Sequence, residues 1–265
     1  MYQKNNMNVL LLGNKGYLGS YLCNNLECDV AEVEDLPSLE QKYSYVINCI
    51  GKSSLEYCED YPKNSLYSNA LVLSDIIKSQ PYAKIINFSS YYVYDSDGPC
   101  TEQHPTTNVY NYCRHNLLSE QITNCLGEQG LSFRLGKLFG HPEIDRQNKL
   151  FEYIIKNDNV TLDTVMFNPT SLAQVCSVIK FELSTKLLSG VYNLSNKGTI
   201  SHYEFGYIIK QILDDVKHIK KIDKLDRKFH NYGRFAMDTS YLESFVLLRS
   251  WQHDLYEYLL WIKNR

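Results

Sequence analysis

Gly13, Gly16 and Gly19 form the pattern G-x-x-G-x-x-G, written out as Gly-Asn-Lys-Gly-Tyr-Leu-Gly. They directly follow the apolar run Val9–Leu12 and open a helical pattern over Tyr17–Leu26. In that setting the first glycine permits a tight turn, the second lets backbone approach a pyrophosphate, and the third allows close helix–strand packing. The helix N-terminus then offers N–H groups and a partial positive charge to phosphate. Gly13, Lys15, Gly16, Tyr17, Leu18 and Gly19 are therefore candidate dinucleotide-binding residues. Such a fold keeps an acid at the end of its second strand for the adenosine ribose, and Glu32 and Glu34 are the candidates. No arginine follows them to take a 2′-phosphate, although Lys15 could, so NAD and NADP are not separated.

The elements that must position this loop read as alternating strand and helix. Strands are expected at Val9–Leu12, Val30–Val33, Tyr45–Ile50, Lys84–Ser89 and Leu131–Leu135. Helices are expected at Tyr17–Leu26, Leu66–Ile77 and Val109–Leu126. This alternation implies an α/β fold, a Rossmann-like doubly wound parallel sheet. After about Gly140 the rhythm loosens. Helices follow at Leu150–Lys156, Leu172–Leu183, Tyr203–Val216 and Leu255–Ile262, with strands near Val160–Leu162 and Val191–Leu194. Residues 1–140 are thus expected to be mainly a dinucleotide-binding lobe and 141–265 mainly a smaller substrate-binding lobe, interleaved in one compact unit. The connection from Val33 to Tyr45 is short for an adenine pocket.

The 265 residues are 44% hydrophobic, enough to bury a sizeable core. A net charge of −3 gives no argument for nucleic acid or an acidic membrane, and the short basic stretch Lys217–Lys221 reads as a solvated face. With no apolar run long enough to cross a bilayer and no visible signal peptide, the expected location is the cytoplasm. The eight cysteines form no C-x-x-C pair and have no histidines at zinc spacing. They are expected to be reduced and mostly buried, with no metal site.

Four further segments fall in order. Asn48-Cys49-Ile50-Gly51 ends a strand and Asn69 follows in a helix; Phe88-Ser89-Ser90 ends another strand; Thr101–Pro105 leads toward Tyr112-Cys113-Arg114-His115-Asn116 and Glu120. Later come Arg134–Gly140, Asn168-Pro169-Thr170, Gly190–Ser195 and Tyr203-Glu204-Phe205. Over nearly its whole length the chain resembles an extended short-chain dehydrogenase/reductase, of the dTDP-4-dehydrorhamnose reductase family of nucleotide-sugar reductases. The resemblance makes Tyr112 the proton donor to a sugar 4-keto oxygen and Ser90 the hydroxyl that orients it. It also implies that Asn48, Cys49, Ile50, Gly51, Asn69, Phe88, Ser89, Tyr112 and Leu138 help to hold the cofactor. Tyr110 competes with Tyr112; Tyr112 is preferred because Glu120 then falls where the family places a glutamate.

One part departs from the family. The residue four beyond the tyrosine is normally a lysine that holds the nicotinamide ribose and keeps the tyrosine acidic; here it is Asn116, which carries no charge. Asn193 and His202 likewise stand where the family has His and Trp. The resemblance implies NAD(P)-dependent reduction of a nucleotide-activated 4-keto-6-deoxy sugar in polysaccharide or glycan biosynthesis, with a nucleotide sugar as partner and a homodimer as assembly. A catalytically degenerate ligand-binding member and an NAD-dependent sugar-nucleotide epimerase are the other two readings.

Overall fold

The computed structural model describes residues 8–94, 98–107, 109–140, 149–213, 218–223 and 235–264. Asp95, Lys217 and the end of the helix expected to reach Val216 lie outside them. The chain divides into two units, one of residues 1–93, 107–134 and 179–192, the other of 94–106, 135–178 and 193–265.

The first unit carries the parallel sheet. Its elements are β1 (Val9–Leu12), α1 (Tyr17–Asn25), β2 (Asp29–Ala31), β3 (Tyr45–Asn48), α2 (Leu55–Asp60), α3 (Pro62–Leu66), α4 (Val72–Ser79), β4 (Lys84–Ser90), α5 (Asn111–Asn124) and β5 (Gly130–Leu135), with most of β6 (Gly190–Leu194). The strand order is β6-β5-β4-β3-β1-β2, and β1 pairs in parallel with both β2 and β3. All four residues of β1 and all four of β3 are buried, as expected of strands covered on both faces. Leu10, Leu12, Val46 and Ile85 of the sheet pack with Val72, Leu73 and Ile76 of α4. The expected α/β class and parallel sheet are what the molecule has.

Residues 179–192 are fastened to this unit by a buried charge. Glu182 is fully buried, pairs with Lys84 at 2.7 Å and accepts from the Leu188 N–H at 2.8 Å.

Two elements differ from the sequence reading. The second strand stops at Ala31, because Glu32 caps a 3₁₀ turn over Val33–Ser38 instead of extending the strand. The helix expected over Leu66–Ile77 is three pieces, with a π-helical turn at Tyr67–Leu71 between α3 and α4. Periodicity did not mark α2 and α3, although Ser54 caps α2 and Pro62 opens α3.

The second unit has an aromatic core. Phe139, Phe151, Phe167, Phe205, Trp251 and Tyr258 are buried together, drawn from the helices Lys149–Lys156, His202–Ile212 and Trp251–Lys263 and the strands beside them. Phe205 is therefore a packing residue. Asn193 is buried, accepts from the Tyr94 hydroxyl at 2.7 Å and donates to the Cys100 and Asp238 carbonyls. His202 bonds Asp163 through Nδ1 at 2.6 Å and meets the Lys137 ammonium at Nε2 at 3.2 Å, its ring stacked on Phe167. Among the described residues no helix is long and apolar enough to cross a membrane.

Of the cysteines, Cys58, Cys100, Cys113 and Cys176 are buried, Cys23, Cys28 and Cys49 are half-buried, and Cys125 is exposed; all are free thiols. Fewer are buried than the sequence reading expected. The thiol of Cys28 is pushed up to about 11, first by burial and then by its neighbours Cys23 and Asp29.

Candidate active site

The glycine turn is held against the end of β3. Gly13 has φ +82°, and a Cβ there would lie 2.7 Å from the Cys49 carbonyl carbon. A Cβ on Gly19 would lie 2.1 Å from the Gly13 carbonyl oxygen, so α1 can sit this close to the turn only without a side chain. Gly16 caps α1 with no side-chain hydrogen bond, leaving that end of the helix to be satisfied from outside it. Leu18 is buried in the unit, while Tyr17 is half-buried and Lys15 exposed. Asn14, inside the turn, has a buried Oδ1 with no hydrogen-bond partner among the described residues. The sequence reading passed over Asn14; its only signal was its place between two of the glycines. The tight glycine turn and the N-terminus of α1, where main-chain N–H groups are the donors, are the features that fit a phosphate-bearing cofactor.

Gly19→Ala should lower the unfolding midpoint by an overpacking cost of about 1–3 kcal/mol and weaken dinucleotide binding at least tenfold. Thermal unfolding and calorimetric titration check both halves; unchanged binding would remove α1 from the site.

The loop after β3 is braced by side chains expected to meet cofactor. Asn69, in the π-helical turn, accepts from the Lys52 N–H at 2.6 Å and donates to the Lys52 carbonyl at 3.1 Å. It acts on the site by fixing Ile50–Lys52, and a Cβ on Gly51 would lie 3.2 Å from its Oδ1. Asn48 holds the Ile50 N–H at 3.2 Å and donates to Asn87, which donates in turn to Ser119 on α5, both at 3.0 Å. Ser119 donates to the Asn116 carbonyl at 2.7 Å, so this buried polar line joins β3, β4 and α5. Ser89 gives its hydroxyl to Glu120 at 2.5 Å, and Glu120 is gripped by Arg134 at 3.0 and 2.7 Å. Its side chain is therefore a brace. The Phe88 ring stacks against Phe133 of β5 at 6.3 Å.

Ser90, at the end of β4, and Tyr112, in the first turn of α5, are near enough for the Ser90 side chain to act on the Tyr112 phenol. Burial pushes the Tyr112 phenol up to about 12. The Ser90 side chain lowers it in part, while Cys113, Tyr92 and Cys58 raise it; no cation of the described residues is among these influences. Asn116 is buried and donates from Nδ2 to the Tyr112 main-chain carbonyl at 2.8 Å, one turn back on the same helix. His115 does not replace the missing charge. Burial holds its imidazole below the ordinary value, and its Nδ1 meets the Ser65 hydroxyl at 3.0 Å. Arg114 is exposed and reaches Asn111 and the Val109 carbonyl. Tyr110 is the N-cap residue of α5. Leu138 belongs to the second unit, in the strand Lys137–Phe139 that pairs with Pro169–Ser171.

A family model, the RmlD substrate binding domain, matches residues 7–262. The chain belongs to this family. The resemblance read from the segments is therefore that of an RmlD-like member of the extended short-chain reductases. No curated protein sequence matches the chain. Among solved structures, a dTDP-4-dehydrorhamnose reductase from Clostridium acetobutylicum superposes with a TM-score of 0.85 at 20% identity, over 97% of this chain and 100% of that one. One from Bacillus anthracis, solved with NADP, gives 0.83 at 19% identity over 96% and 99%. A UDP-glucose 4-epimerase from Thermotoga maritima, solved with UDP-glucose, gives 0.81 at 12% over 97% and 99%. These likenesses share the fold. Within this RmlD-family member the Ser90 and Tyr112 side chains lie near one another, and the uncharged Asn116 is bonded to the Tyr112 main chain.

Proposed function

We propose that this RmlD-family chain reduces the 4-keto group of a nucleotide-activated 4-keto-6-deoxy sugar, in polysaccharide or glycan biosynthesis. The observation that carries the reading is the juxtaposition of the Ser90 and Tyr112 side chains in the same unit as the glycine turn. The main-chain N–H groups of the Gly13–Gly19 turn would hold the pyrophosphate, and the bound dinucleotide supplies the hydride. As the carbonyl carbon receives it, negative charge gathers on the oxygen. Ser90 donates a hydrogen bond to that oxygen, and Tyr112 hands it the phenolic proton. Asn48, Asn69, Asn87 and Ser119 act indirectly, holding the loop after β3 and the helix of Tyr112 in register.

The test is titration of the purified protein with NADH and NADPH, followed by addition of a dTDP-4-keto-6-deoxy sugar. Loss of nicotinamide absorbance that depends on the sugar supports the reading; no binding of either dinucleotide overturns it.

A second reading, a dinucleotide-binding protein with little turnover, is favoured by the raised Tyr112 phenol. A phenol near 12 is protonated throughout the physiological range, and its conjugate base is poorly stabilised. A cation roughly 5 Å away acts with about 3 kcal/mol at an effective dielectric near 20, or about 2 pKa units. Asn116→Lys should therefore bring the phenol from about 12 toward about 10 and raise turnover roughly 10- to 100-fold. The alkaline fall in the pH–rate profile, where the acid loses its proton, should move down with it. An unmoved profile in a folded variant would take the proton-donor role from Tyr112.

A further inference from the structure

Glu32 stands directly after β2 and is tied down on three sides. Its carboxylate accepts the Asp35 N–H, its own N–H is held by the Asp35 carboxylate at 3.0 Å, and it forms an ion pair with Lys15 of the glycine turn. Both partners are open to solvent, with Lys15 at 81% and Glu32 at 47% exposure, so the pair adds little to folding stability. What it does is place one carboxylate, and the only cation of the turn, at the strand end where this fold seats the adenosine ribose.

We propose that Glu32, paired with Lys15, makes this chain take NADH and discriminate against NADPH. The inference rests on the dinucleotide reading above and names the cofactor for that same site. A ribose with free 2′- and 3′-hydroxyls can donate to the Glu32 carboxylate. A 2′-phosphate brings about −1.5 to −2 charges and only acceptor oxygens to the same place. Lys15 already has Glu32 as a partner, whose hydrogen bond and charge raise its ammonium above the ordinary lysine value, so part of its charge is neutralised before a 2′-phosphate arrives. The stretch that follows β2 carries no further cation before Lys42. From Asp29 to Gln41 the chain carries Asp29, Glu32, Glu34, Asp35 and Glu40, and no lysine or arginine. Like charge therefore faces a 2′-phosphate, while the hydroxyl form meets an acceptor already oriented by the 3₁₀ turn.

The experiment is calorimetric titration of the intact protein and of Glu32→Gln with NADH and with NADPH, at low and at moderate salt. NADH should bind at least tenfold more tightly to the unaltered chain, and the preference should shrink as salt rises. Glu32→Gln should cut the preference about tenfold, chiefly by tightening NADPH, since the amide removes the repulsion and keeps a hydrogen-bonding oxygen. Equal or tighter binding of NADPH by the unaltered chain, or a ratio unchanged by Glu32→Gln, overturns the inference and leaves the dinucleotide reading standing. Failure to bind either cofactor overturns both.

Discussion

Tyr112→Phe should abolish sugar-dependent nicotinamide oxidation, by about 10²- to 10⁴-fold, while dinucleotide affinity stays within about twofold. The split follows from what the hydroxyl touches. It lies near Ser90, and the ring meets Tyr92 edge-on at 6.2 Å, so the substitution removes an acid and keeps the packing. Ser90 still holds the Tyr92 N–H at 3.3 Å and stays oriented. Measuring kcat, KM and calorimetric affinity on one preparation separates the outcomes. A fall in kcat alone marks a group used only as charge moves to the carbonyl oxygen. Equal losses in affinity and rate would mark a binding residue. Retained turnover would transfer the role to Tyr110.

Arg134→Met should cost about 3–5 kcal/mol, lowering the unfolding midpoint by roughly 10 °C. Arg134 and Glu120 are both nearly sealed from water, and the guanidinium meets the carboxylate with two nitrogens. Removing the cation leaves a buried carboxylate with Ser89 as its remaining donor of those described. The double variant Glu120→Leu/Arg134→Met should recover much of the loss, because burying the pair costs nearly what their attraction returns. A single variant that melts with the unaltered chain would mean that water reaches Glu120. The brace also bears on chemistry, since it ties β4, α5 and β5 together within one residue of Ser90.

The glycine turn was legible because its motif is local: three residues, one preceding strand and one following helix. The buried strands were legible for the same reason, as short apolar runs. Ser90 and Tyr112 were a different matter. They lie 22 residues apart in a chain with 22 tyrosines, and only likeness to a family singled them out. Contacts between distant elements left no mark in the order of residues. Arg134 reads as one charge in an apolar strand, and nothing near it announces Glu120. Asn69 and Ser89 looked like cofactor contacts because they flank the site; their side chains are turned to the backbone of Lys52 and to Glu120. The π-helical turn was invisible because it keeps helical spacing of apolar residues to within one position. The end of β2 was misplaced by two residues, since a β-branched valine can equally open a capped turn.

The assignment of residues 179–192 to the first unit has a consequence for the nascent chain. When β5 has been synthesised, five of the six strands exist, but β5 keeps a bare edge until β6 is made, after all of residues 135–178. A parallel sheet closed by so distant a segment is slow to complete, and its waiting edge invites pairing with other chains. Glu182 comes just ahead of that last strand and finds Lys84 on β4. In the native fold its charge ties late-made residues to a strand made long before, and truncation short of it should yield a chain that aggregates.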